Sequence, residues 1–480
     1  MKRSKNSKDI DTKWKFYSYL EKPKIADKGD IRSFIGLKTW VTEFNNYNQK
    51  SQQDHYDALN YSIDFISKLK SRVSFNKEFD NALKIWQKEG GGIKRENKIN
   101  PSVRPPVKQI KNWKENGYNL VSLFSGAFGL DLGFMANGFK PLLALDNNSA
   151  SYETINRNLP DLEFVNDNIE NRTTNWLLNE IGLDVGEIDV LTGGPPCQPF
   201  STAGRRASLQ DPRASPLKEY IRFIKEAQPK CFVMEEVKGL LSARIKHVPI
   251  IDRGKTVLAA DELPGSAFSK VHRMLEETGY KFSINVLNAA DFGAPQMRDR
   301  LIIIGNRDKE PDFPKSSHTG IGQEKIDTPN LLPWSTFWDA TCDLQGKKME
   351  FPTLSPSTSN VMKFIPPGGY WKHLPSHMIK NAMGGAYLAT GGKMGFFRRL
   401  SWDTPAPTVI TSPHRMSSML CHPEELRPIS VEEYKRVQGF PDDWKIPGST
   451  SVKYHLIGNA VPVYLSDAIA NHVVKFLDNS

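Results

Sequence analysis

Five short apolar runs, separated by segments of helical periodicity, constrain the fold of this 480-residue chain more than any other feature. Strands that are buried on both faces are apolar throughout, as these runs are. Such strands alternating with helices predict a mainly parallel sheet covered by helices on both sides, an α/β fold. The runs are NLVSLF (119–124), PLLALD (141–146), IDVLTG (188–193), KCFVMEE (230–236) and RLIIIGN (300–306).

Changes in composition divide the chain into three predicted domains. Residues 1–115 form a basic helical N-terminal module that ends in a linker rich in glycine and proline. Residues 116–307 and 402–480 contain the apolar runs and two helical segments near the end, which predict that the end of the chain packs back on the sheet. Residues 308–401 are rich in Pro, Gly, Ser and Thr and predict a separate, loop-rich domain.

The positive charge of the chain is concentrated in two regions. Residues 1–120 hold 25 Lys and Arg against 14 Asp and Glu, while the whole chain carries a net charge of +10. Residues 351–400 hold six basic residues and no acidic one. Basic surface attracts phosphate through the release of counterions, so a nucleic acid is the expected partner. Charge by itself leaves open a basic face that contacts only solvent.

Composition argues against several other classes of protein. No run of about 18 apolar residues could span a membrane, and the N-terminus lacks the apolar core of a secretory signal, so we expect a cytoplasmic protein without a membrane partner. The four cysteines are scattered without a CxxC pair, which argues against a disulfide framework and a structural zinc site.

A glycine-rich turn, FSGAFGLDLG, follows the first apolar run at residues 124–133. Glycine lets the backbone approach a ligand where a helix begins after a strand, and Asp146, after the second run, could bind ribose hydroxyls. A nucleotide-like ligand and a purely structural tight turn both explain this pattern.

One cysteine lies in a loop with little conformational freedom. Residues 193–201 read GGPPCQPFS, in which two glycines and three prolines hold Cys197 at the carboxyl edge of the predicted sheet, where α/β folds bind ligands. This setting favours a nucleophilic thiol, although prolines that only shape a turn would leave Cys197 inert.

Charged residues accompany the next two strands. Glu235 and Glu236 close an apolar strand, where burial would favour the protonated form of a carboxyl and let it act as an acid. Two solvated glutamates at a strand end are the alternative. Alternation places Gln296, Arg298 and Arg300 on one face, an array that suits an anion or a base oxygen, or else structural salt bridges.

Six segments, in this order, resemble the DNA (cytosine-5) methyltransferase family. FSGAFG resembles its cofactor loop, GGPPCQPFS its nucleophile loop, MEEV its catalytic-glutamate motif and QMRDR its paired-arginine motif, while 427–444 and 457–463 resemble its two late motifs. The resemblance covers 119–304 and 402 to the C-terminus. It implies a Rossmann-like sheet domain that binds S-adenosylmethionine, a target-recognition domain at 308–401, double-stranded DNA as substrate and no metal.

The resemblance also implies a role for each reacting residue. The thiolate of Cys197 would attack carbon 6 of a cytosine flipped out of the duplex and thereby activate carbon 5 for the methyl group. Glu235 would hydrogen-bond N3 and the exocyclic amine, while Arg298 and Arg300 would hold the base oxygen and the glutamate in place. Loss of the carbon-5 proton and release of Cys197 would complete the reaction.

Two further groups of residues are carried over from the family by position. Phe124 would contact the adenine of the cofactor, Asp146 its ribose and Asp167 the adenine amine. The residues expected to bind the cofactor are Phe124, Ser125, Gly126, Gly129, Asp146, Asp167, Pro196 and Asn459. The residues expected to contact DNA are Ser201, Arg205, Arg206 and Arg213 in a mobile loop, and Gln296, Lys393, Arg398 and Arg399 elsewhere.

Three residues depart from the family's pattern. Glu236 replaces the usual asparagine beside the catalytic glutamate, Phe128 replaces a glycine of the cofactor loop, and Asn147 lacks the aromatic ring that some members stack on the adenine. Together they could weaken cofactor binding. Residues 1–115 lie outside the resemblance and would form either a DNA-contacting or partner-binding module or a plain helical cap.

Other functions explain parts of the pattern. A tRNA cytosine-5 methyltransferase would keep the same cysteine and glutamate motifs, and a catalytically silent DNA-binding protein could share the fold. A nicotinamide-dependent oxidoreductase would explain only the glycine turn. We expect the modification enzyme of a bacterial restriction–modification system, monomeric on DNA, with a cognate restriction endonuclease as a further partner.

Overall fold

The computed structural model describes residues 116–196, 215–246, 258–320, 331–389 and 392–478. No helix within these ranges is long and apolar enough to cross a membrane. Several predictions lie outside the described residues, namely the helical module at 1–115, the nucleophile Cys197, and the DNA contacts Ser201, Arg205, Arg206 and Arg213.

Seven strands form the central sheet, in the spatial order third, second, first, fourth, fifth, seventh, sixth. The five apolar runs are confirmed as strands. The other two were not predicted, since one has only three residues and the other, KFSINVLN, mixes polar with apolar side chains. The strands are β1 (Asn119–Leu123), β2 (Lys140–Leu145), β3 (Glu163–Val165), β4 (Val190–Gly193), β5 (Cys231–Glu236), β6 (Lys281–Asn288) and β7 (Asp299–Asn306).

The directions of the strands place the loops after β1 and β4 at one crevice. β1 to β5 pair in parallel, whereas β7 is antiparallel to both β5 and β6. From β1 the chain proceeds to β2 and β3 on one side of the sheet, and from β4 to β5 on the other. The loops after β1 and β4 therefore diverge at a switch point, which is where open α/β sheets bind ligands.

Helices cover both faces of this sheet. One face carries a core that includes Leu177, Ile224 and Leu275, and the other a core that includes Leu130 and Leu465. The helices are α1 (Gly129–Ala136), α2 (Ser149–Asn158), α3 (Thr174–Glu180), α4 (Ser215–Ala227), α5 (Ser266–Glu276), α6 (Phe337–Thr341), α7 (Pro356–Met362), α8 (Ser376–Met383), α9 (Val431–Gln438), α10 (Thr450–Asn459) and α11 (Val463–Asp478).

The end of the chain packs back on the sheet domain, as predicted. α9 begins at a capping box in which Ser430 and Glu433 satisfy each other's backbone N–H groups. α11 packs very closely against α1, as the space around Gly133 shows. A Cβ on this glycine would lie 2.1 Å from Ser466 Oγ. The same hydroxyl donates a hydrogen bond to the Gly129 carbonyl oxygen at 3.0 Å, which fixes the first turn of α1.

A smaller core lies in the loop-rich part of the chain. It includes Leu354, Met362 and Phe397, but also Met419 and Cys421, which follow the predicted boundary at 401. Phe337, which precedes this core, packs instead against Trp402 in the cluster beneath α9 and α10. The assignment of residues 308–401 to target recognition stays a prediction. We call residues 354–400, which belong to this region, the recognition lobe.

Candidate active site

The backbone turns sharply directly after β1. Phe124 and Gly126 have φ values of 58° and 53°, in the left-handed region that favours glycine. Ser125 Oγ lies 3.2 Å from the carbonyl oxygen of Ser122 and 3.3 Å from that of Leu145, and so ties the turn to β1 and β2. Among the described residues, no atom lies within 4 Å of the position that a Cβ would take on Gly126, so the described part of the chain leaves the turn open on that side.

Asp146 follows β2 and holds the same turn. Its carboxylate accepts hydrogen bonds from the backbone N–H groups of Gly126 at 2.9 Å and Asn148 at 2.8 Å. Burial raises the pKa of the Asp146 carboxyl, and these two bonds oppose the rise. The open space at Gly126 and a carboxylate beside it fit the ribose hydroxyls of S-adenosylmethionine.

The remaining predicted cofactor residues have different surroundings. Hydrogen bonds from Asn171, the Asn168 backbone and Arg172 lower the pKa of the Asp167 carboxyl. Pro196 is exposed. Asn459 is exposed as well, with Nδ2 3.0 Å from His455 Nε2.

Gly129 is buried and serves packing. A Cβ on this residue would lie 2.5 Å from the Val461 carbonyl oxygen. Glycine therefore lets α1 approach the segment that follows Asn459, and this approach brings the end of α10 beside the turn after β1.

Glu235 and Arg300 form an ion pair at the adjacent ends of β5 and β7. The antiparallel register sets Glu235 opposite Ile302, so Arg300, two residues earlier, projects from the same face. Both side chains are 12% exposed. On the other side, a Cβ on Gly194 would lie 3.0 Å from Glu235 Oε2. The carboxylate therefore lies between a guanidinium group and the loop that leads to Cys197.

Glu236 does not crowd this carboxylate. Successive side chains of a strand point to opposite faces, so Glu236 projects to the face that Met234 and Leu301 line. It is buried there, and its Oε2 accepts a hydrogen bond from the Val237 N–H at 3.2 Å. The extra negative charge is thus separated from Glu235 by the sheet itself.

Phe128 leaves the cofactor turn clear in spite of its size. Its φ of 71° is a left-handed value that suits the glycine usual at this position. The ring is fully buried and stacks parallel to Trp444, with centroids 6.3 Å apart. The side chain therefore belongs to the core beneath α9 and α10, and packing there compensates for the backbone strain.

Comparison with known proteins identifies the family. A family model described as C-5 cytosine-specific DNA methylase matches residues 118–475. The chain belongs to this family. It is a DNA (cytosine-5) methyltransferase, and methyltransferases of this family use S-adenosylmethionine.

Curated relatives of the methylase cover most of its length. It is 35% identical to the type II methyltransferase M.PspPI of Psychrobacter, over 75% of this chain and 80% of the relative. It is 35% identical to M.Sau96I of Staphylococcus aureus, over 76% and 77% of the two chains. It is 32% identical to M.Eco47II of Escherichia coli, over 82% and 92%.

Two of the predicted DNA contacts of the methylase require correction. Gln296 is fully buried, and its amide bonds to the Gln438 side chain at 2.7 Å and the Val409 N–H at 2.9 Å. Arg399 is 5% exposed, and its guanidinium donates to carbonyl oxygens, including those of Met362 and His422. Both side chains are buried and hydrogen-bonded to other groups of the protein. Gln296 and Arg399 therefore hold loops together and present no surface to DNA.

Arg298 also differs from its predicted role. It is buried and donates hydrogen bonds to the carbonyl oxygens of Val409 at 2.6 Å and Gly458 at 2.9 Å. It thus ties the segment around Val409 to Gly458, the residue before Asn459. Of the two arginines in QMRDR, Arg300 is the one that pairs with Glu235 in the methylase.

Sequence reasoning missed a buried acid next to the cysteine loop of the methylase. Asp131, in α1, accepts a hydrogen bond from Thr192 Oγ1 at 2.5 Å, and Thr192 directly precedes the glycines of the cysteine loop. Its signal was present in the sequence, since an acidic residue interrupts the otherwise apolar helix GLDLGFMA. A charged residue at such a position needs a buried partner.

Proposed function

We propose that the methylase transfers the methyl group of S-adenosylmethionine to carbon 5 of a cytosine flipped out of duplex DNA, with Cys197 as covalent nucleophile. The position of Glu235 carries this proposal. Arg300 holds the carboxylate, and a Cβ on Gly194 of the cysteine loop would lie 3.0 Å from Glu235 Oε2. Since β4 and β5 are neighbours, a thiol from the loop after β4 and the carboxyl of Glu235 at the end of β5 would act on the face and the edge of one ring.

The residues act in sequence on the base. Cys197 loses its S–H proton to solvent, and its sulfur forms a bond to carbon 6, which makes carbon 5 nucleophilic. Glu235 shares a proton with N3 and neutralises the charge that develops on the ring, while Arg300 keeps the carboxyl in place. The bound cofactor supplies an electrophilic methyl group. Carbon 5 then gives up its proton to solvent, and the bond to Cys197 breaks to restore the ring.

The cofactor would occupy the crevice after β1 and β2. Phe124 and Ser125 shape the turn, Gly126 leaves room beside it, and Asp146 offers a carboxylate to the ribose hydroxyls. Asp167 and Asn459 would close the two ends of this pocket. The open turn supports this placement, because a Cβ-free position next to an acceptor suits a nucleotide-like ligand.

The recognition lobe would contact DNA through a surface that combines cations with exposed apolar side chains. Leu388 is 82% exposed. Beside it, Lys393 Nζ donates to the Tyr387 carbonyl oxygen at 2.6 Å and lies 6.0 Å from the Tyr387 ring centroid. Arg398 Nε donates to the Met394 carbonyl oxygen at 3.0 Å. Phosphate contacts by the cations would offset the few kcal/mol that flipping a base costs.

The relatives suggest the biological setting. All three reported relatives are named type II methyltransferases. We infer that the methylase likewise modifies genomic DNA and thereby protects it from a cognate endonuclease. We infer that the methylase acts as a monomer on one short target sequence, in the bacterial cytoplasm where that DNA lies. A partner endonuclease would recognise the same sequence.

Transfer of labelled methyl groups tests the proposal. We expect the wild-type protein to methylate unmethylated genomic DNA, and bisulfite sequencing to place methylcytosine in one short sequence. Cys197→Ser should abolish transfer, whereas Cys342→Ala should retain it, because burial raises the pKa of the Cys342 thiol and keeps it protonated. Methylation of tRNA in place of DNA would contradict the proposal.

A trapping experiment tests the covalent step separately. Duplex DNA with 5-fluorocytosine in the target sequence cannot lose a proton from carbon 5, so the bond to Cys197 should persist. We expect a denaturation-resistant protein–DNA complex with the wild type and with Cys342→Ala, and none with Cys197→Ser. Methyl transfer without a trapped complex would refute covalent catalysis.

A further inference from the structure

Asp131 is a buried carboxyl group to which the proposed chemistry assigns no role. It is 1% exposed in the first turn of α1, immediately beneath the crevice. It accepts a hydrogen bond from Thr192 Oγ1 of β4 at 2.5 Å, and the Ser122 hydroxyl of β1 is within hydrogen-bonding reach of its carboxyl. Within the described part of the chain no cation pairs with Asp131, and a carboxyl buried without such a partner is costly.

The hydrogen bonds continue from Asp131 to the cofactor turn. Ser122 Oγ donates to Ser125 Oγ at 2.9 Å, and Ser125 Oγ is within bonding distance of the carbonyl oxygens of Ser122 and Leu145. On the other side, Thr192 leads into the glycines before Cys197. A continuous chain, Thr192–Asp131–Ser122–Ser125, thus joins the base of the cysteine loop to the turn after β1.

We propose that Asp131 is a positioning residue that holds the cofactor turn through Ser122 and Ser125, and that its protonation state sets how firmly the turn is held. The inference rests on the proposed function, because it assigns the turn after β1 to S-adenosylmethionine. It adds a residue that touches neither cofactor nor base.

The directions of the hydrogen bonds give the sign of the effect. The hydroxyl hydrogen of Ser122 can point to Ser125 or to Asp131, but not to both. When Asp131 is neutral, Ser122 donates to Ser125, whose own hydrogen is then available to the Leu145 carbonyl on β2. An ionised Asp131 attracts the Ser122 hydrogen, and Ser125 must then donate back to Ser122. Ionisation therefore loosens the tie between the turn and β2.

The other titratable groups near Asp131 stay neutral over the relevant range. Tyr220 of α4 interacts with Asp131, but its hydroxyl donates to the carbonyl oxygens of Leu191 and Val233, and burial raises its pKa well above the usual range. Burial raises the pKa of the Cys231 thiol in β5 to about 12. Burial likewise raises the pKa of Asp131 itself, to about 6, which places its ionisation in an accessible range.

Binding of S-adenosylhomocysteine at different pH values tests the inference without requiring catalysis. Equilibrium dialysis from about pH 5 to pH 8 would compare the wild type with Asp131→Asn, Ser122→Ala and Thr192→Val, and DNA methylation would be measured in parallel. We expect wild-type Kd to rise with pH by about fivefold relative to Asp131→Asn, the value of one redirected hydrogen bond. Asp146 titrates in the wild type and in every variant alike, so its effect on Kd cancels in this ratio.

The two hydroxyl variants separate a relay from a structural role. Ser122→Ala should remove the pH dependence of binding, as Asp131→Asn does, although Asp131 still titrates. Thr192→Val should shift the pH dependence of binding to higher pH, because the hydrogen bond from Thr192 lowers the pKa of Asp131. Equal pH dependence in wild type, Asp131→Asn and Ser122→Ala would overturn the inference while DNA methylation continued. Absence of both binding and methylation in the wild type would refute the proposed function itself.

Discussion

Replacement of Asp131 by asparagine is expected to stabilise the methylase at neutral pH and to lose this advantage in acid. Asparagine has nearly the shape of the neutral carboxyl and can still accept the hydrogen bond from Thr192. A carboxyl whose pKa is raised by folding contributes stability below its unfolded pKa of 3.8, and that contribution is lost as the pH rises through about 6. The Asp131→Asn variant has no carboxyl at this position, so its stability does not fall in this way as the pH rises.

The magnitude follows from the two pKa values. A rise from 3.8 to about 6 corresponds to about 3 kcal/mol of unfolding free energy between strong acid and neutral pH. About 1.4 kcal/mol of this difference falls between about pH 8 and pH 5. The measured quantity is therefore the difference in unfolding free energy between variant and wild type, which should shrink by about 1.4 kcal/mol when the pH is lowered over that range.

Urea-induced unfolding at several pH values measures this difference, provided that the dependence on urea concentration is the same for both proteins. Asp167→Asn is the matched control. Hydrogen bonds lower the pKa of Asp167, so its contribution to stability changes only below its unfolded pKa of 3.8 and should be constant from about pH 5 to pH 8. If the Asp131→Asn difference were equally constant, the carboxyl would not be destabilised by burial, and the reasoning would be wrong.

Three further predictions concern the site and its packing. Glu235→Gln should keep the fold and cofactor binding but lower kcat for methylation by about 10²- to 10⁴-fold, since the shared proton is lost. Phe128→Gly relieves the left-handed φ but removes a ring stacked on Trp444, and urea unfolding should show a net loss of about 2 kcal/mol. Gly133→Ala places a Cβ 2.1 Å from Ser466 Oγ, and the same measurement should show a loss of about 1–3 kcal/mol; an unchanged midpoint would show that α1 and α11 can separate freely.

Local sequence patterns predicted much of the fold, because the type of element that a segment forms depends largely on residues close together in the sequence. Fully apolar runs became β1, β2, β4, β5 and β7, and helical periodicity near the end became α9 and α11. β6 escaped prediction because its residues mix polar and apolar side chains, and its place at the edge of the sheet explains why. An edge strand has one fewer neighbour to bury it, and its sequence carries a weaker signal.

Side-chain direction was harder to predict for the charged and polar residues. Alternation predicted Gln296, Arg298 and Arg300 on one face, but of the three Arg300 is the one that pairs with Glu235. The other two are buried by segments that return from far along the chain, at Val409 and Gly458. No local rule indicates which distant carbonyl oxygen will receive a guanidinium group.

The sequence by itself determined the family, the positions of the motifs and the order of the elements that carry them, because these depend on residue type and spacing. Only the tertiary structure decided that Arg300, and not Arg298, pairs with Glu235, that Glu236 projects to the opposite face, and that Phe128 points into the core. It also joined Asp131 to Thr192, which lies 61 residues away. Contacts of this kind depend on strand register and on the packing of helices across the sheet, and they arise only when the whole chain has folded.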